Sequence, residues 1–176
     1  MTTPSTARLR LVPSTAALVR AEIADHAALG AALEADIPAN WPPDTLTDAL
    51  PFFLEQIEAA PDTSGWWGWY ALLHDPAADV LAASGGFMGP PNNGVVEIGY
   101  SVLPQFQRRG LATEMMQALV AWAAQHPGVT QIVAEVDAEN EPSRRVLVAL
   151  GFVEAGAGRE PGHLHFALPV HSAMPV

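Results

Sequence analysis

Cysteine and lysine are both absent from the 176-residue sequence. Without cysteine there can be no disulfide, no thiolate metal site and no cysteine nucleophile. Without lysine, positive charge rests on eight arginines against 19 acidic residues, a net charge of −11. A chain so poor in cations lacks the phosphate-neutralising charge that non-specific nucleic-acid binding needs, so nucleic acid is not an expected partner. Long apolar runs are missing too. None approaches the roughly 18 residues that would suggest a membrane span, so no membrane partner is expected. The stretch from Met1 to Arg10 has no apolar core followed by a small-residue cleavage site, so no secretory signal is expected and the location expected is cytoplasmic. Charge is scarce overall: 15% of residues are charged and 49% are hydrophobic, which excludes disorder as the main state and provides ample core. The length fits one domain over residues 1–176.

Local signals place the elements. Leu9 to Val12 reads as a first strand closed by Pro13. Ser14 or Thr15 can cap a helix through Leu18, Val19 and Ile23, and Asp25 can start a second through Leu29 and Leu33. Prolines 38, 42 and 43 force a loop around Trp41. Asp44 or Thr45 caps a further helix carrying Leu46, Leu50, Phe53, Leu54 and Ile57, with a break expected at Pro51. Trp66 to Leu73, Val80 to Met88 and Val95 to Val102 read as strands. On the last of these, Glu97, Gly99 and Ser101 share one face, and Val96, Ile98, Tyr100 and Val102 the other. After Pro104 comes Gln107-Arg108-Arg109-Gly110-Leu111-Ala112, and a helix then runs to about Gln125, with Leu111, Met115, Leu119 and Trp122 at helical spacing. Thr130 to Val136 is a strand, Pro142 to Leu150 a helix closed by Gly151, and two short strands follow at Phe152–Glu154 and His163–Leu168. The main order, βααβββαβαββ, predicts a mixed α/β (α+β) fold with one central sheet flanked by helices. The tail from Pro169 to Val176 is expected to fray.

Chemistry concentrates at Gln107-Arg108-Arg109-Gly110-Leu111-Ala112-Thr113. A helix start leaves backbone N–H groups unpaired, small residues at Gly110 and Ala112 admit a ligand close to them, and the helix dipole favours an anion. Adjacent arginines would add charge-assisted contacts to phosphate. Alone, Q-x-x-G-x-A is also compatible with an ordinary helix start.

The run continues in order with Glu135-Val136-Asp137-Ala138-Glu139-Asn140-Glu141-Pro142-Ser143 and ends at Leu150-Gly151-Phe152. This combination of Q-x-x-G-x-A, N-x-x-S and L-G-F resembles the GNAT superfamily of acetyl-CoA-dependent N-acetyltransferases, over roughly Trp66 to Phe152. The resemblance implies a GNAT-like acyl-CoA transferase fold and acetyl-CoA as acyl donor, with no metal. Its pantetheine arm would lie between the strands ending near Val102 and Val136, paired with Tyr100, Ser101 and Val102, and the Val102 amide would polarise the thioester carbonyl. Backbone amides across Arg108, Arg109, Gly110, Leu111, Ala112 and Thr113 would hold the pyrophosphate. Asn140 matches the asparagine that bonds the pantetheine amides, and Ser143 the serine near the sulfur. Arg144 or Arg145 either reaches the adenine-side phosphate or belongs to a solvated helix face.

The implied reaction moves an acetyl group to a primary amine of a small molecule or a protein N-terminus, by direct attack in a ternary complex. The alternative is a non-catalytic acyl-CoA-binding or sensor domain. A lysine-like amine has a pKa of about 10.4, so neutralising it at pH 7.4 costs roughly 3 units, or ~4 kcal/mol. Glu97 and Glu135 are the candidate bases, with a water chain as the other route. One branch of the family carries a tyrosine acid seven residues after the asparagine; Leu147 stands there, leaving Ser143, Tyr100 or water. Trp66, Trp67 and Trp69 read as packing, and Trp41 as either a substrate wall or a loop anchor. The six histidines show no zinc spacing. The acceptor is unnamed by the sequence, its acidity hinting at a cationic amine such as a polyamine, an aminoglycoside or a basic N-terminus. A monomer or homodimer is expected.

Overall fold

The structure, a computed structural model, describes residues 4 and 6–170. Among them, β1 (Leu9–Pro13), β2 (Gly68–Leu73), β3 (Val80–Phe87), β4 (Val95–Val102), β5 (Gln131–Asp137), β6 (Val153–Ala157) and β7 (His163–Pro169) form one sheet in the order β1-β2-β3-β4-β5-β7-β6. Every neighbouring pair is antiparallel except β4 and β5. The connection between those two is a helical crossover through α5 (Leu111–Ala124), which is what parallel neighbours require.

The sheet separates two helical layers. Leu111, Met115, Met116 and Leu119 of α5 and Leu147 of α6 (Glu141–Ala149) share the main core with Val96 and Ile98 of β4 and Ile132, Ala134 and Val136 of β5. Each fully buried Leu, Met, Ile or Val side chain among them contributes ~1.5–3 kcal/mol. On the other face lie α1 (Ala16–Ala24), α2 (His26–Leu33), α3 (Asp44–Thr47) and α4 (Leu50–Ala59). Leu29 and Leu33 pack with Tyr70, Leu72 and Leu81, while Val19, Phe53 and Ile57 pack with Trp67. Glu97 and Glu135 alternate with core-facing residues, so they stand on the face away from α5.

Local chemistry explains the boundaries. The Leu18 N–H donates to Thr15 Oγ1 at 3.3 Å and the Ala28 N–H to Asp25 Oδ1 at 2.7 Å, so Thr15 and Asp25 cap α1 and α2. The helix expected across Pro51 is two helices, with Pro51 in the first turn of α4 where a missing N–H costs nothing. The strand expected from Trp66 begins at Gly68, because Pro61–Trp66 winds a 3₁₀ turn. That turn comes close to β3: a Cβ on Gly86 would stand 2.1 Å from the Trp67 carbonyl oxygen, so only glycine fits there. The fraying expected from Pro169 does not hold for its first two residues, since Pro169 ends β7 and the Val170 N–H donates to the Thr130 carbonyl at 2.9 Å. The rest of that tail, with His171, lies outside the described residues.

One irregularity positions everything that follows. β4 and β5 pair only over Val95–Glu97 and Gln131–Val133. Beyond that point β4 pairs only with β3, and β5 only with β7, so the sheet opens between them.

Candidate functional site

The chain enters α5 through two left-handed residues, Arg108 at φ 58° and Gly110 at φ 76°. Gly110 is the N-cap and has no side chain to satisfy the first-turn N–H groups; the first intrahelical bond is Glu114 N–H to Gly110 O, 3.0 Å. The amides of Leu111, Ala112 and Thr113 are therefore free for a ligand. A Cβ built on Gly110 would meet only Arg8 Nη2, at 3.6 Å, so the space above the turn is open.

That space is the end of a cleft of about 380 Å³. It is lined by Tyr100, Ser101 and Val102 of β4, by Arg108 and Gly110 through Thr113, and by Asn140 and Ser143 at the start of α6. Thus every residue expected to touch the coenzyme lines one cleft, apart from Arg109. The guanidinium of Arg109 stacks over the Phe106 ring at 5.8 Å, and its carbonyl accepts from Arg8 Nη1 at 3.0 Å. The Leu111 side chain is in the core, so only its backbone faces the cleft.

Charge distinguishes this cleft from the rest of the surface. Arg8 pairs with Glu114, Arg10 with Asp79, Arg20 with Glu58, Arg144 with Glu154, Arg145 with Glu141, and Arg159 with Glu97 and Glu135. Among the described residues, only Arg108 and Arg109 have no carboxylate partner. In a chain of net charge −11, the two uncompensated cations flank the uncapped start of α5, whose first-turn amides are open. Arg144 and Arg145, considered for the adenine-side phosphate, lie elsewhere: Arg144 Nη1 donates to the Ala138 carbonyl at 3.1 Å, and neither residue lines the cleft.

The opened strand supplies a second row of donors. The Leu103 N–H donates to Ala82 O at 3.0 Å, and Glu97 O accepts from the Met88 N–H at 2.9 Å. Odd residues of β4 therefore bond toward β3, and even residues direct their N–H and C=O the other way, toward the gap. Tyr100 and Val102 are even. Ser101 is odd, so its backbone is turned to β3 and its contribution to the cleft is its side chain. Gln107 Nε2 already donates to Val102 O at 3.0 Å, leaving the Val102 N–H for a ligand.

Across the gap, the Tyr100 hydroxyl lies 2.8 Å from Ser143 Oγ and donates to the Ser143 carbonyl at 3.0 Å. Burial pushes the Tyr100 hydroxyl up, against the opposing hydrogen bond from Ser143. Asn140 Oδ1 caps α6 by accepting the Ser143 N–H at 3.1 Å, so its amide nitrogen is the part left to donate. Leu147 is 1% exposed and belongs to the core, away from the reacting end.

The two candidate bases meet at one arginine. Arg159, from the turn between β6 and β7, donates from Nη2 to Glu97 Oε1 at 2.6 Å and Oε2 at 2.7 Å, and from Nε to Glu135 Oε1 at 2.9 Å. The Glu97 charge, then that of Glu135, pushes the Arg159 guanidinium up. Nothing in the sequence marked Arg159, because the contact joins residues 62 and 24 positions apart. Beyond this triad, His165 Nδ1 stands 3.9 Å from Glu135 Oε1. Among the described residues, no group of three or more His, Asp or Glu side chains could hold a metal.

Trp41 is a loop anchor. It is 3% exposed, and its Nε1 donates to buried Glu22 Oε1 at 2.7 Å, while the Tyr70 hydroxyl donates to Glu22 Oε2 at 2.6 Å. Burial pushes the Glu22 carboxyl up, opposed by the bonds from Tyr70 and Trp41. A second cavity, of about 420 Å³, lies on the α4 side of β4 and shares Tyr100 and Ser101 with the cleft.

Comparison with known proteins identifies the family and the fold. The family described as Acetyltransferase (GNAT) domain matches residues 8–153. The chain is 30% identical to the uncharacterized N-acetyltransferase YjdG of Bacillus subtilis (strain 168) over 115 residues, 65% of this chain and 67% of that protein. Among solved structures, a GNAT-family acetyltransferase from Bordetella pertussis is 25% identical, with a TM-score of 0.65 over 95% of this chain and 99% of that one. The ribosomal-protein-S5-alanine acetyltransferase from Vibrio fischeri shares the fold, with a TM-score of 0.66 at 15% identity over 99% of this chain and 100% of that one.

Proposed function

Because the chain belongs to the GNAT acetyltransferase family, whose members use acetyl-CoA, we propose that it moves the acetyl group of acetyl-CoA to a primary amine by direct attack in a ternary complex. The observation that carries this reading is the pair of unpaired arginines, Arg108 and Arg109, beside the open amides of α5. That arrangement suits a pyrophosphate, which takes N–H donors, dipole and cationic charge together. From there the cleft leads inward to Tyr100, Val102 and Ser143, the place for the thioester.

Each residue has a part. The N–H of Tyr100 and the carbonyl facing the gap hold the pantetheine arm as an added strand, and the Asn140 amide donates to one of its carbonyls. The Val102 N–H points at the thioester oxygen, where negative charge develops as the amine attacks. The amine nitrogen bonds to the carbonyl carbon, the C–S bond breaks, and the sulfur leaves as thiolate. Glu97, on the side of the second cavity, receives the amine proton directly or through a water; Glu135 holds Arg159 in place beside it. A thiol has a pKa near 8.5 and a tyrosine near 10, so proton transfer from Tyr100 to the sulfur is uphill by roughly 1.5 units, ~2 kcal/mol, before burial adds to it. Tyr100 and Ser143 therefore steady the thiolate by hydrogen bonds, and its proton comes from solvent.

Calorimetry and thiol release test the reading. With no cysteine in the chain, a thiol reagent reports only free coenzyme. Gly110→Glu places bulk and negative charge on the turn and is expected to weaken acetyl-CoA binding roughly 100-fold, or ~2.7 kcal/mol. The substitution also strains a left-handed position, with an expected Tm loss of about 2–4 °C per kcal/mol. A folded Gly110→Glu protein that binds acetyl-CoA normally would mean that the cleft is not the donor site.

A further inference from the structure

We propose that the acceptor is a small primary amine bearing an aromatic or branched apolar side chain, and that the second cavity receives it. This rests on the donor reading of the first cleft. The two cavities share Tyr100 and Ser101, so a molecule in the second would meet the thioester where β4 leaves the sheet. Among the described residues, no charged side chain lines the second cavity. Apart from Ser84, Ser101 and the glycines of the strands, its walls are aromatic and aliphatic. Trp67 is packed between α4 and β3, with the Phe53 ring centroid 5.8 Å away and the Phe52 ring edge-on, also at 5.8 Å. Phe52 and Met88 line the cavity and are 52% and 53% exposed, two of the five large apolar side chains left exposed among the described residues. Single exposed apolar residues are ordinary; two bordering one cavity that opens onto a reaction centre are an apolar ligand wall.

The nearby acidic residues do not counter this. Glu97 is the carboxylate two residues from Gly99, which lines the cavity, and Glu97 and Glu135 both accept from Arg159. A polyamine entering the cavity would leave its second ammonium against uncharged walls with the adjacent carboxylates already occupied, an uncompensated desolvation. A single-amine substrate loses its only charge before it reacts and buries a ring or branched chain where a ring or branched chain fits. The acidity of the whole chain, which alone suggested a polyamine, draws in any monocation. In the transfer, the neutral nitrogen forms the C–N bond, the C–S bond breaks, the nitrogen proton passes to Glu97 or water, and the departing thiolate takes one proton from solvent.

Initial rates of thiol release with phenethylamine, isopentylamine and spermidine decide the matter, with acetyl-CoA binding to each protein followed by calorimetry. The two apolar amines are expected to exceed spermidine in kcat/KM by at least about 10-fold, the range one apolar contact is worth in a hydrophobic pocket. Phe52→Asp, at a half-exposed position, is expected to raise KM for phenethylamine by about 10-fold or more while kcat and the acetyl-CoA Kd stay within about 2-fold. Met88→Asp serves as the second variant if Phe52→Asp does not fold. Spermidine preferred, no turnover of either apolar amine by a protein that binds acetyl-CoA, or an unchanged KM in both variants each overturns the proposal. Failure of the unaltered protein to bind acetyl-CoA instead overturns the donor reading beneath it.

Discussion

The donor cleft and the second cavity share two residues of β4 and are otherwise built differently. The cleft is made of backbone: amides at the start of α5, the unpaired edge of β4, and a capping asparagine. Its side chains add a free arginine, Arg108, and the hydroxyls of Tyr100 and Ser143, and at Gly110 the absence of a side chain opens the turn. The cavity is walled largely by side chains, from α3, α4, Trp67 and Met88, set over glycines of β2, β3 and β4. A backbone site depends on the chain's course and accepts one ligand chemistry; a side-chain site can be re-cut by single substitutions and accepts whatever its walls accept. The same fold can thus keep one donor while its acceptor varies, and substitutions on the two sides should have separable effects on acetyl-CoA affinity and on amine KM.

The largest separation is expected from the arginines. Arg108→Glu combined with Arg109→Glu removes both uncompensated cations and puts two anions at the pyrophosphate end. Two charge-assisted contacts at ~1.5–3 kcal/mol each put the loss in acetyl-CoA affinity at about 100-fold or more. Calorimetry at low and high salt checks it: the unaltered protein should weaken as salt rises, and the variant should not. Retained salt sensitivity in the variant would place the binding charge elsewhere.

The triad at the junction sharpens the comparison next. Glu97→Gln is expected to lower kcat at pH 7.4 by at least about 10-fold with acetyl-CoA affinity unchanged, a modest share of what a positioned base contributes. The loss should shrink as pH approaches the pKa of the amine, where the nucleophile arrives already neutral. Arg159→Gln is expected to act more weakly and on selectivity. Arg159 is 69% exposed, so its pairs add little to stability, yet its removal releases Glu97 and Glu135 to a second ammonium. Spermidine kcat/KM should rise by about 2–5-fold, within the range of one screened ion pair, and phenethylamine kcat/KM should not follow. A parallel rise for both amines would mean that Arg159 blocks access rather than charge.

The same division decides what could be read in advance. β4 is found at its expected residues, β5 starts one residue later than expected and α5 ends one residue before Gln125, because strong periodicity fixes them locally. The cleft was legible because Gln107, Gly110, Ala112, Asn140 and Ser143 sit in two short runs whose spacing carries their geometry. The backbone parity of β4 was not: Tyr100, Ser101 and Val102 were grouped together, and only the register against β3 turns Ser101 away. The acceptor side was illegible for a deeper reason. Phe52, Trp67, Met88 and Gly99 come from four separate segments, and each alone reads as packing. Arg159 was invisible because its partners lie on two other strands, and Trp41 kept two readings until Glu22 was seen beneath it.

Glu22 supplies the smallest expected effect and the one that tests the N-terminal layer apart from either ligand. It is 7% exposed and joins α1 to the Trp41 loop and to β2 through Trp41 Nε1 and the Tyr70 hydroxyl. Burial raises its pKa from an ordinary 4.5. A carboxyl whose folded pKa is raised gives stability that is fully present below its unfolded pKa and is lost as pH rises through the folded value, because ionisation then favours the unfolded chain. Glu22→Gln removes that titration while keeping an oxygen for Trp41 and an N–H for the Tyr70 oxygen. The Tm of the unaltered protein relative to Glu22→Gln should therefore be highest near pH 4 and should fall as pH is raised toward 7, with acetyl-CoA affinity the same in both. A Tm difference that stays flat across that range would mean that Glu22 keeps one protonation state in the folded and unfolded chain alike. The network would then hold the loop by hydrogen bonds alone.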